Sequence, residues 1–173
     1  MPAPFASLFF YGSLLDIDVL ALVVERDVAA ADLRAARIDD YQRVRLLHDT
    51  YPMLVPAPGQ CVHGAVFDLR SERELERIRF FEADEYQFET CRVQLPDGAW
   101  HEALFCAEAA MPGGALGEWH LAEWQRRHKA RYLRQARRYM SAFGLMSPAQ
   151  ADSLWTAADS SPEAVSRRAG HRG

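Results

Sequence analysis

Two short stretches of this chain carry residue types and spacings that could do chemistry. In Phe80-Phe81-Glu82-Ala83-Asp84-Glu85-Tyr86 a carboxylate follows two phenylalanines and precedes two further acids. Aromatic neighbours exclude water and acidic neighbours add like charge, and both raise a carboxyl pKa toward the range useful to a general base. In Tyr11-Gly12-Ser13-Leu14-Leu15 a glycine closes an apolar run and a small polar residue follows. A strand that breaks on glycine into a helix start leaves backbone N–H groups unpaired, and these can hold a carboxylate or an oxyanion. A blander reading stands beside each: a solvated acidic turn after a surface helix, and Gly-Ser punctuation between two elements.

The elements that must position these residues are legible around them. Phe5 to Phe10 reads as a buried first strand, and Gly12 then lets the backbone turn, through a positive φ or a close approach. Ser13 or Asp16 can cap a helix over Leu14 to Val24 with Leu15, Val19, Leu22 and Val23 on one face. Ser71-Glu72-Arg73-Glu74 is a capping box that starts a helix running to about Phe81. Glu82 then falls at a helix C-terminus, where the macrodipole is negative and disfavours a carboxylate.

Between these segments, Ala29 to Arg37 and Gln42 to Leu47 are strand-like, Met53 to Pro56 is a brief extended piece, and Pro58-Gly59 marks a turn into a strand over Cys61 to Leu69. Gly64 inside that strand implies a bulge or a close backbone approach. Phe88 to Leu95 and Ala99 to Cys106 form a hairpin about Pro96-Asp97-Gly98. Pro112 to Gly117 reads as a loop, its glycines a flexible hinge, before one long helix over Glu118 to Phe143. The stripe of that helix is Leu121, Trp124, His128, Tyr132, Ala136, Tyr139 and Phe143, with His128 expected in the core and bonded by one nitrogen. Ser147-Pro148 opens a last short helix to about Ala157, and the polar tail from Asp159 is expected to fray.

Short strands, a few helices and no strand–helix alternation describe an α+β domain built on a small mixed β-sheet. One domain over residues 1–145 is expected, with 146–173 adding the short helix and the tail. A net charge of -4 argues against a nucleic-acid binder. The arginine-rich stretch Arg126 to Arg138 lies opposite the aromatic stripe, as a solvated helix face does, with no aromatic free to stack a base. Cys61, Cys91 and Cys106 are widely spaced and each falls in a strand, so buried thiols are expected, in keeping with a reducing, cytoplasmic setting. No basic residue precedes Phe5 and the apolar run is short, so neither a leader peptide nor a membrane span is expected. The histidines form no ligand-spaced pair, so no metal is expected, and Ser13 sits in no G-x-S-x-G elbow, which makes it a hydrogen-bonding residue rather than a nucleophile.

Three pieces in order, FFYGSLL (9–15), YPMLVPAPGQCVHGAVFDL (51–69) and FFEADEYQFETCRVQL (80–95), resemble the gamma-glutamylcyclotransferase-like superfamily, in its compact branch that includes gamma-glutamylamine cyclotransferase. The resemblance implies a small, twisted or barrel-like sheet. It implies Glu82 as the general acid–base, Tyr11, Gly12, Ser13 and Leu14 as the loop gripping a gamma-glutamyl head, and Tyr86 as a substrate-binding tyrosine. Arg79, Ala83 and Phe88 depart from the family's usual aspartate, glycine and arginine. The implied reaction takes a small gamma-glutamyl substrate, needs no cofactor and releases 5-oxoproline. The alternative is a non-catalytic binding module of the same fold that acts through a partner protein.

Overall fold

The structure, a computed structural model, describes residues 6–46, 50–82, 86–108 and 115–157, with the side chains of Tyr86, Glu108, Ala115 and Leu116 outside that description. Ala83, Asp84, Glu85, Pro112 to Gly114 and the tail after 157 therefore lie outside the described residues.

The strands are β1 (Ser7–Phe10), β2 (Leu33–Leu46), β3 (Pro52–Asp68), β4 (Tyr86–Gln94), β5 (Trp100–Glu108) and β6 (Ala115–Glu118). They pair in the order β3-β1-β5-β4-β2, and β2 pairs back onto β3, so five strands close into a small barrel with β6 laid on β2. β1 and β5 run parallel, and every other pair is antiparallel. The fold is α+β, with α1 (Ile17–Val24), α2 (Glu72–Glu82), α3 (Leu121–Arg127), α4 (Lys129–Met140) and α5 (Pro148–Ala157) around the barrel.

From Leu8 to Phe10 β1 is apolar without interruption because both its faces are buried. Phe9 packs inside with Ile38, Leu54, Val62, Val66, Val93 and Phe105. Leu8 and Phe10 face the other way, onto α1, Ile78 of α2, and the aromatic stripe of α3 and α4. Each phenylalanine so enclosed contributes about 2 to 3 kcal/mol of apolar burial. Gly64 of β3 is the close approach expected of it: a Cβ there would run into the Phe10 carbonyl oxygen and, at 2.8 Å, the Phe9 ring.

Several expectations are corrected. The pieces read as separate strands are single long ones, β2 and β3, and Pro58-Gly59 is not a turn between strands. Asp40 (φ 64°) and Gly59 (φ 81°) take left-handed backbone on facing strands, where the register shifts between Asp39 and Tyr41. The Gly59 N–H donates to Asp40 Oδ1 at 2.9 Å, so a cross-strand bond carries the ribbon through the kink. Further upstream, Ala30–Asp32 is a 3-10 turn, with Asp32 accepting from the Ala29 N–H, and no strand begins at Ala29.

The segment read as loop down to Gly117 contains β6, paired with Val44 and Leu46. The single long helix is two, broken at His128 (φ -125°, ψ -23°), which is half-buried where the core was expected. Periodicity could not reveal the break, because the stripe Trp124, Tyr132, Ala136, Tyr139 continues across it and stays buried. At the other end, Ser147 and Gln150 cap α5 reciprocally, as Ser-Pro promised. α5 lays Trp155 edge-on against Tyr132 at 5.0 Å and Tyr139 at 5.9 Å.

The cysteines are also less buried than expected. Cys61 is exposed, Cys91 and Cys106 are half-buried, and none is in a disulfide. Burial pushes the Cys91 thiol up to about 12. Among the described residues no helix is long and apolar enough to cross a membrane.

Candidate functional site

Two tethers deliver the turn after β1. The Tyr11 carbonyl accepts from Arg43 Nη1 at 3.0 Å, and the Tyr11 hydroxyl donates to the Cys106 carbonyl at 2.8 Å. The chain then closes a 3-10 turn over Ser13–Leu15, with Leu15 N–H on the Gly12 oxygen at 2.9 Å and Asp16 N–H on the Ser13 oxygen at 3.0 Å. Being first in that turn, the N–H groups of Ser13 and Leu14 have no partner within it. Gly12 has a negative φ, -130°, so its role is the close approach and not a left-handed backbone. A Cβ at Gly12 would lie 3.0 Å from Cδ and 3.1 Å from Cγ of Pro52, a ring that cannot fold away.

Asp16, not Ser13, caps α1. Its Oδ1 accepts from the N–H groups of Asp18 at 3.0 Å and Val19 at 3.2 Å. Oδ2 takes Gln125 Nε2 at 2.8 Å and Lys129 Nζ at 2.9 Å. Burial raises the Asp16 carboxyl, but the donors from Lys129, Gln125 and Val19 outweigh it and hold the pKa below its ordinary value. The same donors lock the turn to α3 and α4.

The Ser13 hydroxyl is used differently. It sits 3.0 Å from the buried Tyr132 hydroxyl of α4, a hydrogen bond that leaves the serine without a base. Burial, first of all, pushes the Tyr132 phenol well above its ordinary range, with Glu82 and Tyr51 adding to the effect against the Ser13 bond.

α2 carries Glu82 as its last residue. Its start is capped nearly as the sequence reads: Ser71 Oγ accepts the Glu74 N–H at 3.3 Å, while Glu74 reaches back one residue further, to the Arg70 N–H at 2.9 Å. Buried Arg77 ties the helix to α1, donating to the carbonyls of Val23 at 2.6 Å and Leu22 at 3.3 Å, orphan acceptors at that helix's C-terminus. Tyr139 donates to the Phe80 carbonyl at 2.9 Å and fixes the last turn of α2. Glu82 is thus held from both sides, with the Cys106 thiol directed at its Oε2 from 3.8 Å.

Turn and carboxylate meet in one open cleft. Tyr11, Gly12, Ser13, Leu14 and Glu82, predicted from sequence, all line it. β4 starts at Tyr86, whose side chain lies outside the described residues. Tyr51, Pro52, Ile78, Phe88 and Cys106 complete the walls. Sequence reasoning assigned none of these five to the site, although the Tyr-Pro pair was a usable signal. Ile78 comes from α2, Phe88 and Cys106 come from β4 and β5, and Leu8, Phe9 and Phe10 of β1 line the cleft as well, brought together by the barrel across long stretches of chain.

The basic stretch shows its arginines at Arg126, Arg127, Arg131, Arg134, Arg137 and Arg138 to solvent, away from the buried stripe. Lys129 turns inward to Asp16 and Asp18. Among the described residues no group of three His, Cys, Asp or Glu side chains could hold a metal ion.

Comparison with known proteins matches this geometry. AIG2-like protein A of Arabidopsis thaliana is 30% identical over 137 residues, covering 78% of this chain and 81% of that protein. AIG2-like protein D of the same plant is 28% identical over 143 residues, covering 80% of this chain and 91% of its own length. A further Arabidopsis thaliana protein, solved in solution, superposes with a TM-score of 0.59 at 25% identity over 85% of this chain and 97% of that one. Residues 8–126, which hold the barrel, the turn and Glu82, match the family described as gamma-glutamyl cyclotransferase, AIG2-like, and the chain belongs to that family.

Proposed function

We propose that this protein is a cyclotransferase acting on gamma-glutamyl amines or peptides and releasing 5-oxoproline and the free amine. The observation that carries the reading is the convergence of Glu82 with the Tyr11–Leu14 turn in one cleft. A gamma-glutamyl amide contains its own nucleophile, the α-amine, one five-membered ring away from the γ-carbonyl. Folding the substrate back supplies an effective molarity of ~10⁵ M or more, so the protein has only to hold the fold and move protons.

Glu82 takes a proton from the α-ammonium, and the freed amine attacks the γ-carbonyl. As the ring C–N bond forms and the old amide C–N bond breaks, Glu82 returns that proton to the departing nitrogen; it then takes the second surplus proton from the ring nitrogen and passes it to the freed amine, which leaves as its ammonium. The free N–H groups of Ser13 and Leu14 hold the head-group carboxylate or the developing oxyanion. The balance closes without an oxidant, a reductant or water.

The test is release of 5-oxoproline from a panel of gamma-glutamyl compounds by the purified protein. Turnover with at least one of them is expected. Tight binding without release from any would instead favour the non-catalytic binding module.

A further inference from the structure

Arg43 of β2 is a half-buried cation with no acid to meet it. Its guanidinium lies 5.3 Å from the centroid of the buried Trp119 ring, and Nη1 donates to the carbonyls of Tyr11 at 3.0 Å and His63 at 3.3 Å. Among the described residues its buried Nε has no acceptor, and no carboxylate stands within ion-pair distance of the guanidinium. Arg34 and Arg37 of the same strand do meet acids, Asp68 at 3.1 Å and Asp39 at 2.9 Å. Burial lowers the Arg43 pKa, with Glu118 opposing it, yet a guanidinium stays charged at any physiological pH. A desolvated charge without a counter-charge is costly, so its presence points to an anion supplied from outside the chain.

The bond to Tyr11 indicates where that anion sits. The Tyr11 carbonyl and the Gly12 N–H belong to one trans peptide and point in opposite directions. A guanidinium that draws density toward the carbonyl makes the N–H on the far side a stronger donor. Gly12 lines the cleft, and among the described residues no acceptor takes its N–H, which precedes the free N–H groups of Ser13 and Leu14. The described cleft lining contains Glu82 but no lysine, arginine or histidine. Lys129, beyond the other end of the turn, is already engaged by Asp16 at 2.9 Å and Asp18 at 2.6 Å. Arg43 is the positive charge bonded to the turn that no described acid pairs.

We infer that Arg43 is the positioning residue that makes this turn select a carboxylate, acting through the Tyr11–Gly12 peptide. This rests on the turn as the seat of the head-group carboxylate, and a binding measurement separates it from the cyclotransferase reading. Calorimetric titration compares 5-oxoproline, a carboxylate at neutral pH, with 5-oxoprolinamide, its uncharged isostere. Both are titrated into the intact protein, Arg43→Met and Arg43→Lys. The intact protein is expected to bind the acid about tenfold or more tightly than the amide, the order of one charge-assisted hydrogen bond. Arg43→Met keeps much of the apolar stem and should bring that ratio close to one while still binding the amide. Arg43→Lys keeps the charge and should preserve part of the ratio.

An unchanged ratio in Arg43→Met overturns the inference. So does an equal loss of acid and amide binding, which is what a merely structural tether would give. An Arg43→Lys protein as indifferent to the carboxylate as Arg43→Met overturns charge as the cause. If Arg43→Met does not fold, the ratios of the intact protein and of Arg43→Lys decide, and a ratio near one in either overturns the inference. Failure of the intact protein to bind either compound also overturns it. Release of 5-oxoproline from gamma-glutamyl compounds is scored apart: its absence overturns the cyclotransferase reading and leaves the binding ratios to decide the role of Arg43.

Discussion

The hydroxyls of Ser13 and Tyr132, 119 positions apart in the chain, are hydrogen-bonded at 3.0 Å in a buried setting beside the cleft. Trp124 and Trp155 pack edge-on against the same tyrosine, each at 5.0 Å. The turn that lines the cleft is therefore fastened to the helical layer through one phenol that burial keeps protonated.

Tyr132→Phe preserves the ring packing and deletes only the bond. A loss of about 1 kcal/mol in unfolding free energy is expected, and Ser13→Ala should cost a similar amount. Because both variants remove one shared interaction, the double variant should fall short of their sum by about 1 kcal/mol. Denaturant titration of the four proteins measures it, and strict additivity would show that the bond contributes nothing.

Glu82→Gln keeps the size and polarity of the side chain at the end of α2 and removes its proton chemistry. Turnover should drop about 10²-fold or more, the contribution of a positioned acid–base group, with the melting transition nearly unchanged. Near-normal 5-oxoproline release by this variant on the best substrate would take the role away from Glu82.

A Cβ at Gly12 would press on the Pro52 ring at 3.0 Å, so the turn or the ring has to give way by a few tenths of an ångström, and the branched valine side chain asks for more. Gly12→Val should abolish substrate binding by displacing the turn, whereas Ser13→Ala should weaken it by about tenfold at most, about 1 kcal/mol for one bond. Calorimetric titration of both variants decides the point. Normal binding by Gly12→Val together with none by Ser13→Ala would be incompatible with an anion-holding turn.

Asp16 makes folding pH-dependent on the acid side. Its folded pKa lies below the ordinary 3.8, so its contribution is complete above that value and is lost as pH falls through the folded pKa. For Lys129 the sign reverses: its folded pKa is raised, chiefly by the bonds to Asp16 and Asp18, so its contribution is complete below the ordinary 10.5 and fades as pH rises through the folded value. Asp16→Asn should cost about 2 kcal/mol at about pH 7, through the weakened cap and lost pairing, and less at about pH 3. Unfolding curves for both proteins at the two pH values test this; a deficit that is the same at both would show that the charge plays no part.

The parts that the sequence determined by itself rest on short-range physics. A doubly buried strand shows as the uninterrupted apolar run before Tyr11. The box at Ser71 starts α2 and its length brings Glu82 to the helix end, Asp97-Gly98 makes the β4–β5 hairpin with Gly98 at φ 86°, and Ser147-Pro148 opens α5. In each case the residues that form the element are neighbours in the chain, so their pattern is sufficient. Left-handed backbone at Asp40 and Gly59 looks like a turn for the same reason, because the Gly59 N–H to Asp40 bond that keeps the ribbon continuous spans 19 positions. Ring closure of five strands, and the helices laid over it, decided the rest: Pro52 against Gly12, Cys106 against Glu82, Tyr132 on Ser13, and the break at His128 that no periodicity marks. Those contacts join residues whose separation along the chain carries no local signal, and only burial of both faces of β1 brings them together.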